Sequence, residues 1–124
     1  MTNKFIKIAL DYYGQNWNNP LYPWCAEFIN DILIKNGIKG TNSLLARSFL
    51  SLGEHTDTPE LGDIVVLWRE SQESIYGHAG FYISENENSF FLLGGNQDGI
   101  VKIKSYPKWM LLDIRRITEP GCSA

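Results

Sequence analysis

Cys25 and His78 are two residues whose side chains could together break an amide bond. Thiol catalysis needs a thiolate nucleophile, a base that exchanges its proton, and a polar group that orients the base. The chain offers Cys25 and Cys122 as thiols, and His55 and His78 as bases. Cys25 comes directly after Pro23-Trp24, and a proline favours the first position of a helix because its φ is fixed.

The spacing predicts a helix from Pro23 to Gly37 that presents Cys25 on its apolar face. Apolar residues recur on that face at helical spacing: Phe28, Ile29, Ile32 and Leu33. In the first turn of a helix, unpaired backbone N–H groups and the positive end of the helix dipole favour a thiolate. The same position also suits a small, buried core cysteine. The helix alone therefore leaves both interpretations open.

His78 opens a predicted strand, Gly77–Ile83, in which glycines allow another backbone or a substrate to approach closely. An imidazole at a strand start is placed to meet a helix N-terminus across the sheet. His55 lies in an acidic stretch and is interpreted as a solvated loop residue.

The orienting group is expected at the end of the next strand, in Gly94-Gly95-Asn96-Gln97-Asp98. Asn96 continues the face of Phe90 and Leu92 if the strand stays extended, so it is the predicted orienter. Asp98 is the alternative, whereas Gln97 would face the histidine only if a bulge intervened. These residue types are also common in simple turns, which leaves a purely structural interpretation open.

The order of predicted elements indicates an α+β fold with an antiparallel sheet, because helices come first and closely linked strands follow. Helices are predicted over residues 2–13, 23–37 and 44–52, and strands over 63–68, 77–83, 89–93, 100–106 and 110–117. Residues 55–60 are predicted to form a surface loop.

Composition limits the class of protein. The chain has 124 residues and a formal net charge of −3, which fits one domain spanning 1–124 and argues against nucleic-acid binding. Residues 118–124, which include Cys122, are expected to form a mobile tail. No signal peptide or membrane-spanning stretch is recognised, so cytoplasmic synthesis is expected. The cysteines and histidines lack zinc spacing, and neither a metal nor another cofactor is expected.

Four segments in order resemble the NlpC-type and CHAP-type cysteine peptidases, papain-like bacterial and phage enzymes that cut the peptide part of peptidoglycan. The segments are Trp24-Cys25-Ala26-Glu27-Phe28, Leu61-Gly62-Asp63-Ile64-Val65, Gly77-His78-Ala79-Gly80-Phe81-Tyr82 and Gly94-Gly95-Asn96-Gln97. The resemblance implies a minimal papain-like fold, with the nucleophile helix packed on a five- to six-stranded antiparallel sheet.

The resemblance also implies roles for individual residues. Cys25 would be the nucleophile and His78 the base, and Asn96 matches the asparagine of CHAP-type members. Two departures concern this third role. Many NlpC-type members carry the third polar residue where this chain has Phe90-Phe91-Leu92, and Gly94 stands where CHAP-type members usually have glutamate.

The oxyanion would be held by the Cys25 backbone N–H and by an upstream donor. Tyr13 matches the tyrosine that NlpC-type members often have, and Asn19 has the papain-like offset from the cysteine. Trp24 and Tyr82 flank the dyad and are predicted to contact substrate.

The implied function is hydrolysis of amide bonds in peptidoglycan stem peptides through a thioester. Action in the periplasm or on the cell wall would require delivery without a signal peptide, as in phage lysis or effector secretion, and a secreted effector would have an immunity partner. The alternatives are a catalytically inactive binding or phage structural module, and a thiol acyltransferase or peptidase with a non-wall substrate.

Overall fold

The computed structural model describes residues 3–17 and 24–117, and in this part of the chain helices pack on a six-stranded antiparallel sheet. This confirms the α+β class. The α-helices are α1 (Asn3–Leu10) and α2 (Cys25–Lys35), and two 3₁₀ helices lie later in the chain at Ala46–Ser51 and Lys108–Met110. The strands are β1 (Glu54–His55), β2 (Ile64–Trp68), β3 (Gly77–Glu85), β4 (Ser89–Gln97), β5 (Ile100–Pro107) and β6 (Leu111–Arg116).

The strands follow the order β1-β6-β2-β3-β4-β5, and every neighbouring pair is antiparallel. Two elements differ from the sequence prediction. His55 belongs to the short edge strand β1 rather than to a loop, because it pairs with Arg115 of β6. The third predicted helix is a 3₁₀ helix, and the first predicted helix stops at Leu10 and continues as turns to Gly14.

Helix α2 lies on one face of the sheet because its apolar residues are buried against the central strands. Phe28, Ile29, Ile32 and Leu33 are fully buried in a cluster that also holds Phe81 of β3 and Leu93 of β4. The opposite face carries a smaller apolar cluster: Val65, Leu67, Tyr82, Phe90, Leu92 and Ile114. No helix in residues 3–17 and 24–117 combines the length and apolarity that crossing a bilayer would require.

Gly95 allows β4 to pass directly beneath the start of α2. A Cβ added to Gly95 would lie 2.7 Å from Phe28 Cβ and equally close to the Trp24 ring. Such distances are far below van der Waals contact, so any other residue here would push the helix away from the sheet. The glycine therefore sets the distance between the beginning of α2 and the end of β4.

Asp63 ties the beginning of β2 to the end of β6. Its fully buried carboxylate accepts hydrogen bonds from the Arg116 guanidinium at 3.1 and 2.8 Å and from the Glu60 backbone N–H at 2.8 Å. A buried charge is tolerated only when it is paired and hydrogen-bonded in this way.

Replacing Asp63 by Asn is expected to lower the free energy of unfolding by about 2–3 kcal/mol, because charge-assisted hydrogen bonds are lost in a buried position. Asp31→Asn is the control, since Asp31 pairs with Lys35 at 3.5 Å on the solvent side of α2. It is expected to leave the urea midpoint essentially unchanged. Urea denaturation followed by circular dichroism measures both; equal losses would contradict the assigned role of Asp63.

Candidate active site

Cys25 is the first residue of α2, and its thiol is buried at the point where the helix meets β3. Burial is the largest single effect and raises the pKa of this thiol, whereas the charge and hydrogen bond of the neighbouring His78 lower it. The backbone N–H groups of Ala79 and Ala26 also donate to the sulfur, and the net effect is a pKa below that of an ordinary cysteine. The site therefore stabilises a thiolate.

His78 lies at the beginning of β3, buried, with its Nε2 atom 2.9 Å from Oε1 of Gln97. The orientation of the Gln97 amide follows from its other partners, because its Nε2 atom donates to the carbonyl oxygens of Leu92 at 3.0 Å and Lys102 at 2.6 Å. Oε1 must then accept, so the imidazole proton is on Nε2 in the neutral ring. The Nδ1 atom is left for the thiol of Cys25.

A β-bulge places Gln97, rather than Asn96, against the imidazole. Gly94 pairs with Lys102 and Gln97 with Ile100, so three steps along β4 oppose two along β5. Asn96 lies in this bulge with φ of +55°, a left-handed conformation that asparagine tolerates better than most residues. The strand therefore does not stay extended, and the prediction that Asn96 faces His78 is not met.

The hairpin turn after β4 is the signal that could have identified Gln97. Asp98 and Gly99 both have positive φ, which fits the two-residue hairpin turn favoured by an Asp-Gly pair. Such a turn pairs Gln97 with Ile100 and puts both on the face opposite the buried Val101. Counting back from the turn, instead of forward from Phe90, would have put Gln97 on the histidine's face.

Tyr106 of β5 covers the other side of the imidazole. Its ring centroid lies 4.9 Å from that of His78, with the planes tilted by 31°. Burial, and to a lesser extent the nearby Cys25, raises the pKa of the Tyr106 phenol. The ring thus remains neutral and limits the rotation of His78, a contact that sequence reasoning missed because Tyr106 lies two strands away from β3 in the chain.

A cavity of about 270 Å³ opens beside His78. It is lined by Leu67, Arg69, His78, Asn96, Gln97, Asp98, Lys104, Tyr106 and Met110. Asn96 therefore borders the site without orienting the base. A larger cavity of about 450 Å³ lies on the solvent side of α2, between residues such as Glu27 and Lys39, and it includes neither Cys25 nor His78.

The two residues predicted to contact substrate, Trp24 and Tyr82, are not placed to do so as clearly as Cys25 and His78 are placed for catalysis. Trp24 is 2% exposed and stacks on Trp17, with ring centroids 5.4 Å apart, so it is mainly a core residue. Tyr82 lies four residues along β3 from His78, roughly 13 Å away in an extended strand, and it donates to Glu85 at 2.8 Å. This placement does not support substrate contact by Tyr82.

Of the two predicted oxyanion donors, only Tyr13 lies in the described part of the chain. Its hydroxyl accepts a hydrogen bond from the Ile103 backbone N–H at 3.3 Å, on the outer strand β5. No contact between described residues joins Tyr13 to Cys25 or His78. Asn19 lies outside the described residues, and its role stays a prediction.

His55 is not part of the candidate active site. It is exposed, and its ring nitrogens contact the carboxylates of Asp113 and Asp57 at 2.5 and 2.8 Å, which raise the pKa of the imidazole. Within residues 3–17 and 24–117, no three His, Cys, Asp or Glu side chains are grouped so that they could hold a metal ion.

The fold is similar to that of a solved lipoprotein-like protein of the NLP/P60 family from Staphylococcus aureus, with a TM-score of 0.60 and 17% sequence identity. The likeness covers 95% of this chain but only 42% of the other. No protein-family model matches the chain, and no curated protein is significantly similar to it in sequence. The comparison therefore shows a distantly NLP/P60-like fold.

The lowered pKa of Cys25 predicts alkylation at a pH where an ordinary thiol is still protonated. Iodoacetamide rates at Cys25, resolved from Cys122 by peptide mass spectrometry, should reach half-maximum at lower pH in the folded protein than in guanidinium. His78→Gln should raise that midpoint, because burial then acts without the compensating imidazolium. His55→Gln is the matched control and should not move it; equal shifts in both variants would contradict the pairing.

The same pH profile of alkylation shows which of Gln97 and Asn96 orients His78. Gln97→Ala should raise the Cys25 midpoint part of the way towards that of His78→Gln, because the ring loses its orienting acceptor. Asn96→Gly removes the neighbouring amide without strain at the positive φ, and should leave the midpoint unchanged. The opposite pattern would restore Asn96 as the orienting residue.

Proposed function

We propose that this chain is a cysteine hydrolase that cleaves amide bonds in peptidoglycan stem peptides through a thioester intermediate. The observation that carries the proposal is a chain of hydrogen bonds: Cys25, at the beginning of α2, contacts His78, and His78 contacts Gln97. This arrangement supplies the nucleophile, the base and the orienting group of thiol catalysis. The NLP/P60-like fold supports the same class of enzyme.

The mechanism follows from the hydrogen bonds of the site. The Cys25 thiolate attacks the amide carbonyl and forms a carbon–sulfur bond, while the developing oxyanion accepts from the Cys25 backbone N–H at the free end of α2. The second oxyanion donor is proposed to be Tyr13 or Asn19.

Collapse of the tetrahedral intermediate breaks the carbon–nitrogen bond. The imidazolium gives its Nδ1 proton to the departing amine, and the neutral ring then takes a proton from the water that hydrolyses the thioester. Gln97 accepts from Nε2 throughout both steps, so the ring keeps one orientation. General acid–base help of this kind is typically worth about 10²–10⁴-fold in rate.

The choice of substrate rests on the resemblance of the Cys25, His78 and Gly94 segments to wall-cutting peptidases. An acyltransferase would use the same thioester but pass the acyl group to another amine or alcohol instead of water. An inactive binding module would have no need for a buried, activated thiol. The nature of the products and the reactivity of Cys25 separate these candidates.

Purified peptidoglycan of several stem-peptide types should release soluble fragments with the native protein and none with Cys25→Ala, because the nucleophile is lost. Cys122→Ala is the matched control and should retain full activity. Mass spectrometry of the fragments identifies the new termini and so the bond cleaved. Release that is undiminished in Cys25→Ala, or absent with every wall type, would overturn the proposal.

A further inference from the structure

The cavity beside His78 is on the side from which the departing amine must leave. The imidazolium has to reach the nitrogen of the broken bond, so the amine half of the substrate extends over His78. Cys25, which holds the carbonyl half, is not part of the cavity lining. This assignment rests on the proposed function and makes the cavity the pocket for the leaving group.

Arg69 is a cation of this pocket that has no carboxylate partner among the described residues. Lys102 and Lys104 both bind Asp98, at 2.9 and 2.6 Å, so each lysine has a carboxylate partner although the three residues together keep a net charge of +1. The Arg69 guanidinium, by contrast, has no hydrogen bond or ion pair with any residue that the structure describes. Arg69 also borders a second depression of about 370 Å³, which its neighbour Glu70 lines as well, whereas Glu70 does not line the pocket beside His78.

The segment that carries Arg69 is held in place by another arginine. The guanidinium of Arg47 donates to the carbonyl oxygens of Ser71, Gln72 and Tyr76 at 2.9, 2.7 and 2.9 Å. Three such bonds fix the connection between β2 and β3, so Arg69 leaves the end of β2 from a defined backbone position. A fixed backbone position lowers the entropy that Arg69 loses when it binds an anion, although its side chain still has to be ordered.

We propose that Arg69 binds a carboxylate on the amine half of the substrate. The preferred substrates are then those whose leaving amino acid or peptide carries a free carboxylate close to the scissile bond. A guanidinium suits this ligand because its parallel N–H groups match the two oxygens of a carboxylate. The open pocket and the Arg69 guanidinium lie together on the His78 side of the site.

The test uses two alkylating reagents that differ in one charge, N-(iodoacetyl)glycine and its carboxamide. In both, the Cys25 thiolate displaces iodide and forms a thioether at the methylene carbon, and the glycine extends where the leaving group would lie. The measured quantity is the ratio of the two alkylation rates. Native protein, Arg69→Gln, Arg69→Lys and Lys39→Gln are compared at one pH and ionic strength.

Arg69→Gln should lower the preference for the carboxylate reagent by about threefold or more, in keeping with a solvent-accessible ion pair. Arg69→Lys should retain part of the preference, because the positive charge remains but the two parallel N–H groups of the guanidinium are lost. Lys39→Gln removes the same charge beside the other cavity and should not change the ratio. The ratio also cancels any general loss of thiol reactivity in a variant.

Two other outcomes would each be decisive. If Arg69→Gln and Lys39→Gln give the native ratio, the carboxylate site is overturned while the hydrolase proposal stands. If native Cys25 reacts with neither reagent, the hydrolase proposal falls, and the leaving-group pocket falls with it.

Discussion

The hydrogen bond from His78 Nε2 to Gln97 Oε1 is the interaction on which the candidate site depends. It fixes the tautomer of the imidazole and leaves Nδ1 for the thiol of Cys25. The bond can form only because the two carbonyl oxygens that accept from the Gln97 amide leave its oxygen pointing at the ring. Both groups that accept from the glutamine are backbone carbonyls of β4 and β5, so the hairpin itself orients the base.

The position of the thiol depends on a second constraint, the close approach of α2 to the sheet. Gly95 removes the side chain that would separate β4 from Trp24 and Phe28, and the helix start can then reach the backbone of β3. There the sulfur meets the Ala79 N–H as well as His78. Burial would otherwise favour a neutral thiol, so the charge of the imidazole and the backbone donors decide its state.

The sequence predicted what depends on local pattern and missed what depends on strand register. The apolar spacing after Cys25 predicts α2, and the β-branched run of residues 63–68 predicts the strand β2. The class of fold followed from their order. The prediction of Asn96 extends the alternation of Phe90 and Leu92 through two glycines. A single inserted residue there reverses the direction of every later side chain. Likewise, the pairing of His55 with β6 is a contact between distant segments that no local pattern contains.

The most direct test of the account is to trap the thioester. Native protein mixed with soluble stem peptides, quenched in acid and digested, should give a Cys25 peptide that carries the carbonyl half of the substrate and loses it to hydroxylamine. Gln97→Ala should form less of this adduct in the same time, and Cys25→Ala none. Cleavage of the peptides without any adduct, and at an equal rate in Cys25→Ala, would show that the thiol is not the nucleophile.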